Sequence, residues 1–299
     1  MDVNILYNVE HEAPLGVLIA NYFYLTGLSA GSFILSTLAY GFGIEKYKPI
    51  GKVGVVLATV LLILAPVNLL VDLEQPFRFW HLFFYLRITS PITWGSFLLT
   101  LYPLNCMIYG YFMFKGDVKR TKFFGLIGIP LALLVHGYTG FILALGKARV
   151  LWNTAIMPPI FLISAMVSGI AMMILVVAIK GYFFSTERKV DTALCLDLAK
   201  MLAWAIVADL AFVATDVLVL LTSHTEAYFA AMMLLKGSMS HLFIGVELIL
   251  GSIIPLFLLL FPFTKSKLGF VIVSSILVMI GIFAMRYVMV VGGLSIPLS

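Results

Sequence analysis

Apolar residues run along this chain in long blocks separated by short polar connections. The blocks fall at roughly residues 15–43, 53–72, 91–114, 123–146, 155–180, 194–221, 239–262 and 268–291. Each is long enough, at about 20 residues, to carry a helix across a hydrocarbon core roughly 30 Å thick. In lipid, backbone polar groups must be satisfied within the spanning segment, so the pattern predicts an all-α membrane protein with eight transmembrane helices. No connection is long enough to hold a separate soluble domain.

Composition narrows the picture further. Of the 299 residues, 62% are hydrophobic and 11% charged, too few charges to cover a soluble domain of this size. The positions of the charges orient the chain. Lys46, Lys48, Lys52, Lys115, Lys119, Arg120, Lys122, Lys180, Arg188, Lys189, Lys265 and Lys267 fall in the connections after spans 1, 3, 5 and 7. The other connections hold only Arg78, Arg87, Lys147, Arg149 and Lys236. The positive-inside rule then places both termini on the outer, periplasmic side of a bacterial or archaeal inner cell membrane. The net charge of +5 is spread over these loops, which argues against a nucleic-acid partner and for the lipid bilayer. The first residues are acidic and lack the basic start of a signal peptide, so the first apolar block reads as a retained helix.

Two outer connections carry more than turn residues. Residues 73–90 mix Phe, Trp and Tyr with Arg78, Arg87 and His81, as a helix lying in the interface would, and 223–238 have a similar character. Trp80, Trp94 and Trp152 fall near the outer boundary, where aromatic belts form. Spans 1 and 5 share a small-residue pattern (LTGLSAGSFIL and SAMVSGIAMMIL), and spans 2 and 6 each place an Asp, Asp72 and Asp216, near the outer end. Two related four-helix halves fit that echo, although small residues also occur in any close-packed membrane bundle.

Polar side chains in hydrocarbon need a partner or a purpose. Asn21 and Tyr24 on span 1 and Tyr138 on span 4 lie at matching depth, roughly 9–14 Å below the outer boundary at about 1.5 Å per residue. Asn68 and Asp72, at i and i+4 on span 2, share a face near the same boundary, just beyond Pro66. The inner half holds little beyond Asn105 and Lys200. Hydrogen-bonding groups at one depth suit a ligand with polar ends and an apolar body that arrives from the lipid, such as a quinone. A nearby carboxylate or imidazole could then exchange the protons of its reduced form. The same groups could instead only tie helices together.

Deeper charges admit two readings. His136, Asp209, Asp216, Glu247 and Arg286 could form a proton path, or Arg286 could neutralise Asp216 or Asp209 in a buried pair. A b-type haem needs two facing axial ligands at one depth. His136 is central, His241 lies close to the surface, and His11, His81 and His224 lie outside the spans, which argues against haem. Cys106 and Cys195 are too few for an iron–sulfur cluster and read as buried small hydrophobes. No metal site is expected.

The stretches NYFYLTGLSAGSFIL, VDLEQPFRFWHLF followed by SPITWGSFLL, and HGYTGFILALGKARVLWN resemble the NrfD-like family, the membrane subunits of polysulfide-reductase-type complexes. The similarity runs over about residues 12–170 and continues more faintly to the C-terminus. The resemblance implies two four-helix bundles, here residues 1–150 and 151–299, with a quinone site at the periplasmic end of the first. It also implies docking onto a periplasmic-side, ferredoxin-like iron–sulfur subunit. In the polysulfide reductase member, quinone is held by an Asn and a His one turn apart on the first helix and a Tyr on the fourth. Asn21 and Tyr138 match two of these, and Tyr24 stands at the His position. Tyrosine can donate a hydrogen bond but accepts a proton poorly near neutral pH, which shifts proton exchange to Asp72 or His81.

The resulting expectation is a quinone-reactive subunit (menaquinone or ubiquinone) of a respiratory oxidoreductase, without haem or iron–sulfur cluster of its own. Asn21, Tyr24, Tyr138 and Asn68 would bind quinone between spans 1, 2 and 4. Arg78, Trp80, Lys147, Arg149 and Trp152 would help dock the partner. Catalytic partners implied are a molybdenum enzyme, a hydrogenase or a multihaem cytochrome. The alternatives are a proton-translocating unit or a passive anchor.

Overall fold

The computed structural model describes residues 15–73, 75–184 and 190–295. His11, Arg188 and Lys189 lie outside the described residues. Eight helices are long and apolar enough to cross a membrane: α1 (Val17–Tyr40), α2 (Glu45–Asp72), α3 (Pro91–Lys115), α4 (Val118–Ala144), α5 (Met157–Phe183), α6 (Thr192–Thr222), α7 (His241–Leu260) and α8 (Leu268–Ser295). The chain is a multi-pass protein of the cell membrane. Below, the upper face is the one where α1 begins and α8 ends, and the lower face carries the basic connections.

The helices overrun the apolar blocks where a cap allows it. Hydropathy alone starts the fourth block at about 123, yet α4 begins at Val118, because the Asp117 side chain accepts a hydrogen bond from Arg120 N at 3.1 Å. Asp191 does the same for Leu194 N at 3.0 Å at the start of α6. The helix continues into the aqueous layer, and the Lys and Arg that end an apolar block simply line its first turn. The upper connections are short helical pieces as expected: Pro76–Arg78 and His81–Phe84 in one, Thr225–Leu235 in the other. Phe77 is 90% exposed and Tyr85 77% exposed, so the first of these has an apolar side that nothing among the described residues covers.

Packing follows sequence order. Helix α1 packs on α2 and α4, and α3 on α2 and α4. Helix α5 packs on α6 and α8, and α7 on α8 and α6. Helix α5 also packs on α1 and α4, and α1 on α8. Small residues set the closest approaches. A Cβ on Gly31 or Gly169 would run into the backbone of the other, so α1 and α5 cross there in direct backbone contact. Gly251 and Gly281 do the same for α7 and α8. Near the lower face, Lys46 Nζ meets Asp197 Oδ2 at 2.8 Å, an exposed pair of small energetic weight.

Two helices depart from α geometry. The first half of α7, His241–Ile253, is π-helical, and Ser252 Oγ donates to Glu247 O at 3.2 Å across five residues. Helix α8 turns π-helical over Val288–Gly292, directly after Arg286. π-Helical turns widen the helix, disturb the regular ladder and recur at functional sites.

Candidate functional site

The upper ends of α1, α2, α3 and α4 gather the polar side chains that the sequence singled out. Counting at 1.5 Å per residue from the helix ends, Asn21 and Asn68 lie about 6 Å deep, Tyr22 about 8 Å and Tyr138 about 9 Å. Asn21 Nδ2 donates to Asn68 Oδ1 at 2.8 Å, which joins α1 to α2. Asn68 is oriented in turn by its own amide, which donates to Leu64 O at 3.1 Å. Among the described residues nothing donates to the Asn21 side-chain oxygen, so that acceptor stays available.

Tyr138 is half-buried and forms part of the wall of a groove of about 480 Å³ between α3 and α4. Pro91, Trp94 and Leu98 line one side; Leu134, Gly137 and Phe141 line the other. The volume lies within the range of small-molecule sites, and the lining is apolar apart from the phenol and Thr89. Trp94 is 55% exposed, and its Nε1 donates to Ile88 O at 2.8 Å, fixing the upper lip. The Tyr138 ring lies directly over Gly95 of α3, where any Cβ would collide with the ring and the hydroxyl. The TWG sequence therefore serves the tyrosine: the indole frames the groove and the glycine makes room for the phenol. The phenol itself makes no hydrogen bond among the described residues.

Beside Asn21 in sequence stands Tyr22, which depth and residue type had not singled out. Tyr22 is 3% exposed, and its hydroxyl is fully buried without a partner among the described residues. An unpaired buried hydroxyl costs about 1–3 kcal/mol, so its presence needs a reason. The signal was available. Tyr22, Ser29 and Ser36 recur at seven-residue spacing and share one face of α1. Ser29 Oγ bonds Ala58 O at 2.8 Å and Ser36 Oγ bonds Gly51 O at 2.6 Å, both on α2, so this face looks into the group α1–α4.

Tyr24 shares its face with Gly31, seven residues on, and that face looks toward α5 and α8. The Tyr24 hydroxyl donates to Met279 O on α8 at 3.2 Å, and its ring meets Phe283 edge-on with centroids 5.3 Å apart. The Tyr24 hydroxyl thus ties α1 to a backbone carbonyl of α8, while Asn21 bonds to α2.

Asp72 is half-buried at the upper end of α2, beside Gly16. His81, also half-buried, sits between the edges of Trp80 and Tyr85, with centroids 4.0 and 5.5 Å away. Among the described residues no hydrogen bond joins Asp72 to His81.

A second polar group lies at the meeting of α4, α6, α7 and α8. His136, Asp209, Asp216, Glu247 and Arg286 are each at most 4% exposed. Arg286 Nη2 donates to Ser164 Oγ at 2.6 Å and Phe161 O at 3.2 Å, and its guanidinium lies 3.8 Å from the Phe161 ring centroid. Asp209 and Glu247 act on it electrostatically, as it acts on His136. Yet among the described residues Arg286 Nε and Nη1, one oxygen each of Asp209 and Asp216, both oxygens of Glu247 and both His136 ring nitrogens have no hydrogen-bond partner. The expected direct pair of Arg286 with Asp209 or Asp216 does not form among the described residues.

Over residues 7–297 the sequence matches the family described as "Polysulphide reductase, NrfD". The chain belongs to the NrfD family. Among its relatives, the Hdr-like menaquinol oxidoreductase integral membrane subunit of Archaeoglobus fulgidus is 29% identical over 98% of this chain and 74% of its own length. A subunit of the selenate reductase of Mesobacillus selenatarsenatis is 28% identical over 92% of this chain and 73% of its own length. A polypeptide of the polysulfide reductase of Wolinella succinogenes is 27% identical over 92% of both. In this NrfD-family protein the upper connections present Arg78 and Lys147 to solvent and leave Trp80 47% exposed. Arg149 turns inward, its Nη1 donating to Leu294 O at 3.0 Å. Trp152 is not a surface residue as the sequence suggested. It is 6% exposed, and its Nε1 donates to Met289 O at 2.6 Å. Its indole sits against Gly293, so it anchors the end of α8.

Proposed function

We propose that this chain is the quinone-reactive membrane subunit of a multi-subunit respiratory oxidoreductase. The observation that carries the reading is Tyr138: a phenol without a protein partner among the described residues, on the wall of an apolar groove that opens toward lipid between α3 and α4. A membrane quinone has the matching form, an apolar body with two hydrogen-bond-accepting oxygens. Asn21 and Asn68 supply amide groups at similar depth, and Asp72 and His81 at the upper face exchange protons with water. The name of the Archaeoglobus fulgidus relative speaks for menaquinol as the quinone, with ubiquinone as the other candidate. In this reading the chain holds no redox centre of its own, and electrons would pass to or from an iron–sulfur subunit docked at the upper face near Arg78, Trp80 and Lys147. A catalytic subunit would lie beyond it. This reading takes α1–α4 and α5–α8 as two four-helix bundles and the upper face as periplasmic.

The test uses the purified complex. Tyr138→Phe should leave assembly intact and lower quinol turnover by about tenfold, the loss expected for one transition-state hydrogen bond of ordinary strength. Full activity after both Tyr138→Phe and Asn21→Leu would place the site elsewhere.

The cluster around Arg286 favours a second function beside the first. Buried carboxylates, an imidazole and a guanidinium that form no direct ion pair with one another among the described residues make a polar core of the kind that carries protons in membrane proteins. In this reading His136, Asp209, Asp216, Glu247 and Arg286 move protons when quinone reacts, and proton release from sealed vesicles tests it.

A further inference from the structure

We infer that the lower half of the α2–α3 seam is a binding site for one anionic phospholipid. An acyl chain lies in a groove between the two helices, and Lys52 and Lys115 hold the phosphate at its mouth. The site is separate from the groove beside Tyr138 and does not depend on the quinone reading.

The groove has a volume of about 310 Å³ and runs between Val55, Val56 and Val60 of α2 and Met107 and Gly110 of α3. At about 1.5 Å per residue it reaches roughly 12 Å up from Lys52. Its walls are apolar, because the one hydroxyl of α2 that lines it, Thr59 Oγ1, donates to Val55 O at 2.7 Å on its own helix. Val56, Val60 and Met107 are 48%, 48% and 44% exposed, so the slot is open on its outer side. In a bilayer that side faces hydrocarbon. A slot of this kind draws in a chain, since wall atoms left without neighbours forfeit dispersion contacts.

The mouth decides which lipid the chain belongs to. Tyr111 and Phe114 both line the groove and stand three residues apart on α3, as neighbours on the helix surface. Lys52 reaches across from α2, its Nζ 5.7 Å from the Phe114 ring centroid. Lys115 folds back along α3, its Nζ 5.7 Å from the Tyr111 ring centroid. The rings thereby turn both ammonium groups toward one rim instead of out into water. The acidic groups nearest in sequence are spent elsewhere: Glu45 meets Lys48 at 2.6 Å, and Asp117 meets Arg120 at 3.5 Å. Among the described residues no carboxylate pairs with Lys52 or Lys115. Two uncompensated positive charges over an apolar slot, at the level of the lower interface, complement a lipid with a net negative head group. A choline head group would bring its own cation against the lysines.

The test reconstitutes the intact complex in phosphatidylcholine vesicles. They carry a trace of phosphatidylglycerol with a photoactivatable group on its acyl chain. Label should fall on residues 55–60 and 106–114 and should be displaced by unlabelled phosphatidylglycerol. A phosphatidylcholine probe should label them at least tenfold less. Lys52→Gln with Lys115→Gln should lower the labelling roughly ten- to thirtyfold, as loss of two lysines at a membrane surface does. Lys265→Gln with Lys267→Gln, on another lower connection, should leave it unchanged. Gly110→Leu tests the slot alone. Its Cβ has room, 3.5 Å from Val55 Cγ2, and the rest of the side chain fills the groove. Labelling should fall although both lysines remain. Equal labelling by the two probes overturns the site. So does an equal loss in the Lys265 and Lys267 variant, which would make the attraction a general property of the basic face. Undiminished labelling in Gly110→Leu would leave a head-group patch with no chain groove and also overturn it. No label on either segment overturns it too, as a groove covered by a neighbouring subunit would give.

Discussion

Gly95 shows how much chemistry a single missing Cβ can control. The Tyr138 ring occupies the volume that any larger residue would need at that position. Gly95→Ala should push the phenol into the groove, raise the KM for quinol several-fold and leave assembly intact. Combined with Tyr138→Ala it should add nothing, because the clash has gone with the ring; steady-state kinetics of the single and double variants read this directly. The residue scale is also where the sequence was least legible. Asn21, Asn68 and Tyr138 could be picked out by depth and by residue type, and two of them meet in a hydrogen bond. Tyr22 and Tyr24 could not be ranked that way, since both lie at about the same depth on one helix. Their faces decide. Gly31 turns the Tyr24 face toward α5 and α8, and Ser29 and Ser36 turn the Tyr22 face toward α2. Those partners are known only once the helices are packed. Trp152 misled for a related reason: an indole near a membrane boundary is equally at home in an interface belt or plugging a helix end.

At the scale of elements, hydropathy was sufficient to find the eight helices. Spanning lipid requires a long apolar run, and the blocks near 15–43 and 268–291 sit within a few residues of α1 and α8. It missed where charged first turns continue a helix, as at α4, because the cap at Asp117 lies outside the apolar signal. The π-helical stretch of α7 had no signature in the pattern at all. That stretch holds Glu247, whose two oxygens have no hydrogen-bond partner among the described residues and whose electrostatic neighbours are Asp209, Arg286 and Asp216 on α6 and α8. If the cluster carries protons, Glu247→Gln should preserve the helix and the complex yet cut proton release per quinol in sealed vesicles by half or more. Normal turnover with unchanged stoichiometry would assign the cluster to packing alone.

Across the whole molecule, α5 packs on α1 and α4 and α8 packs on α1, with Gly31 and Gly169 in backbone contact where α1 and α5 cross. The groove with Tyr138 lies between α3 and α4, the Arg286 cluster among α4, α6, α7 and α8, and His136 on α4 stands two residues from Tyr138 with its ring against Gly27 of α1. Quinone chemistry at the groove and charge movement in the cluster would thus be neighbours through α4. The small-residue echo of spans 1 and 5 was legible in sequence because close helix crossings admit little else. Which polar groups end up on each side of the crossing was not. The most direct measurement is photolabelling of the native complex in its membrane with an azidoquinone, followed by mapping of the labelled peptides. Label on residues 91–98 of α3 and 133–141 of α4, displaced by excess menaquinone, is the expected result. Label confined to α5–α8, or label at the groove that menaquinone fails to displace, would contradict it.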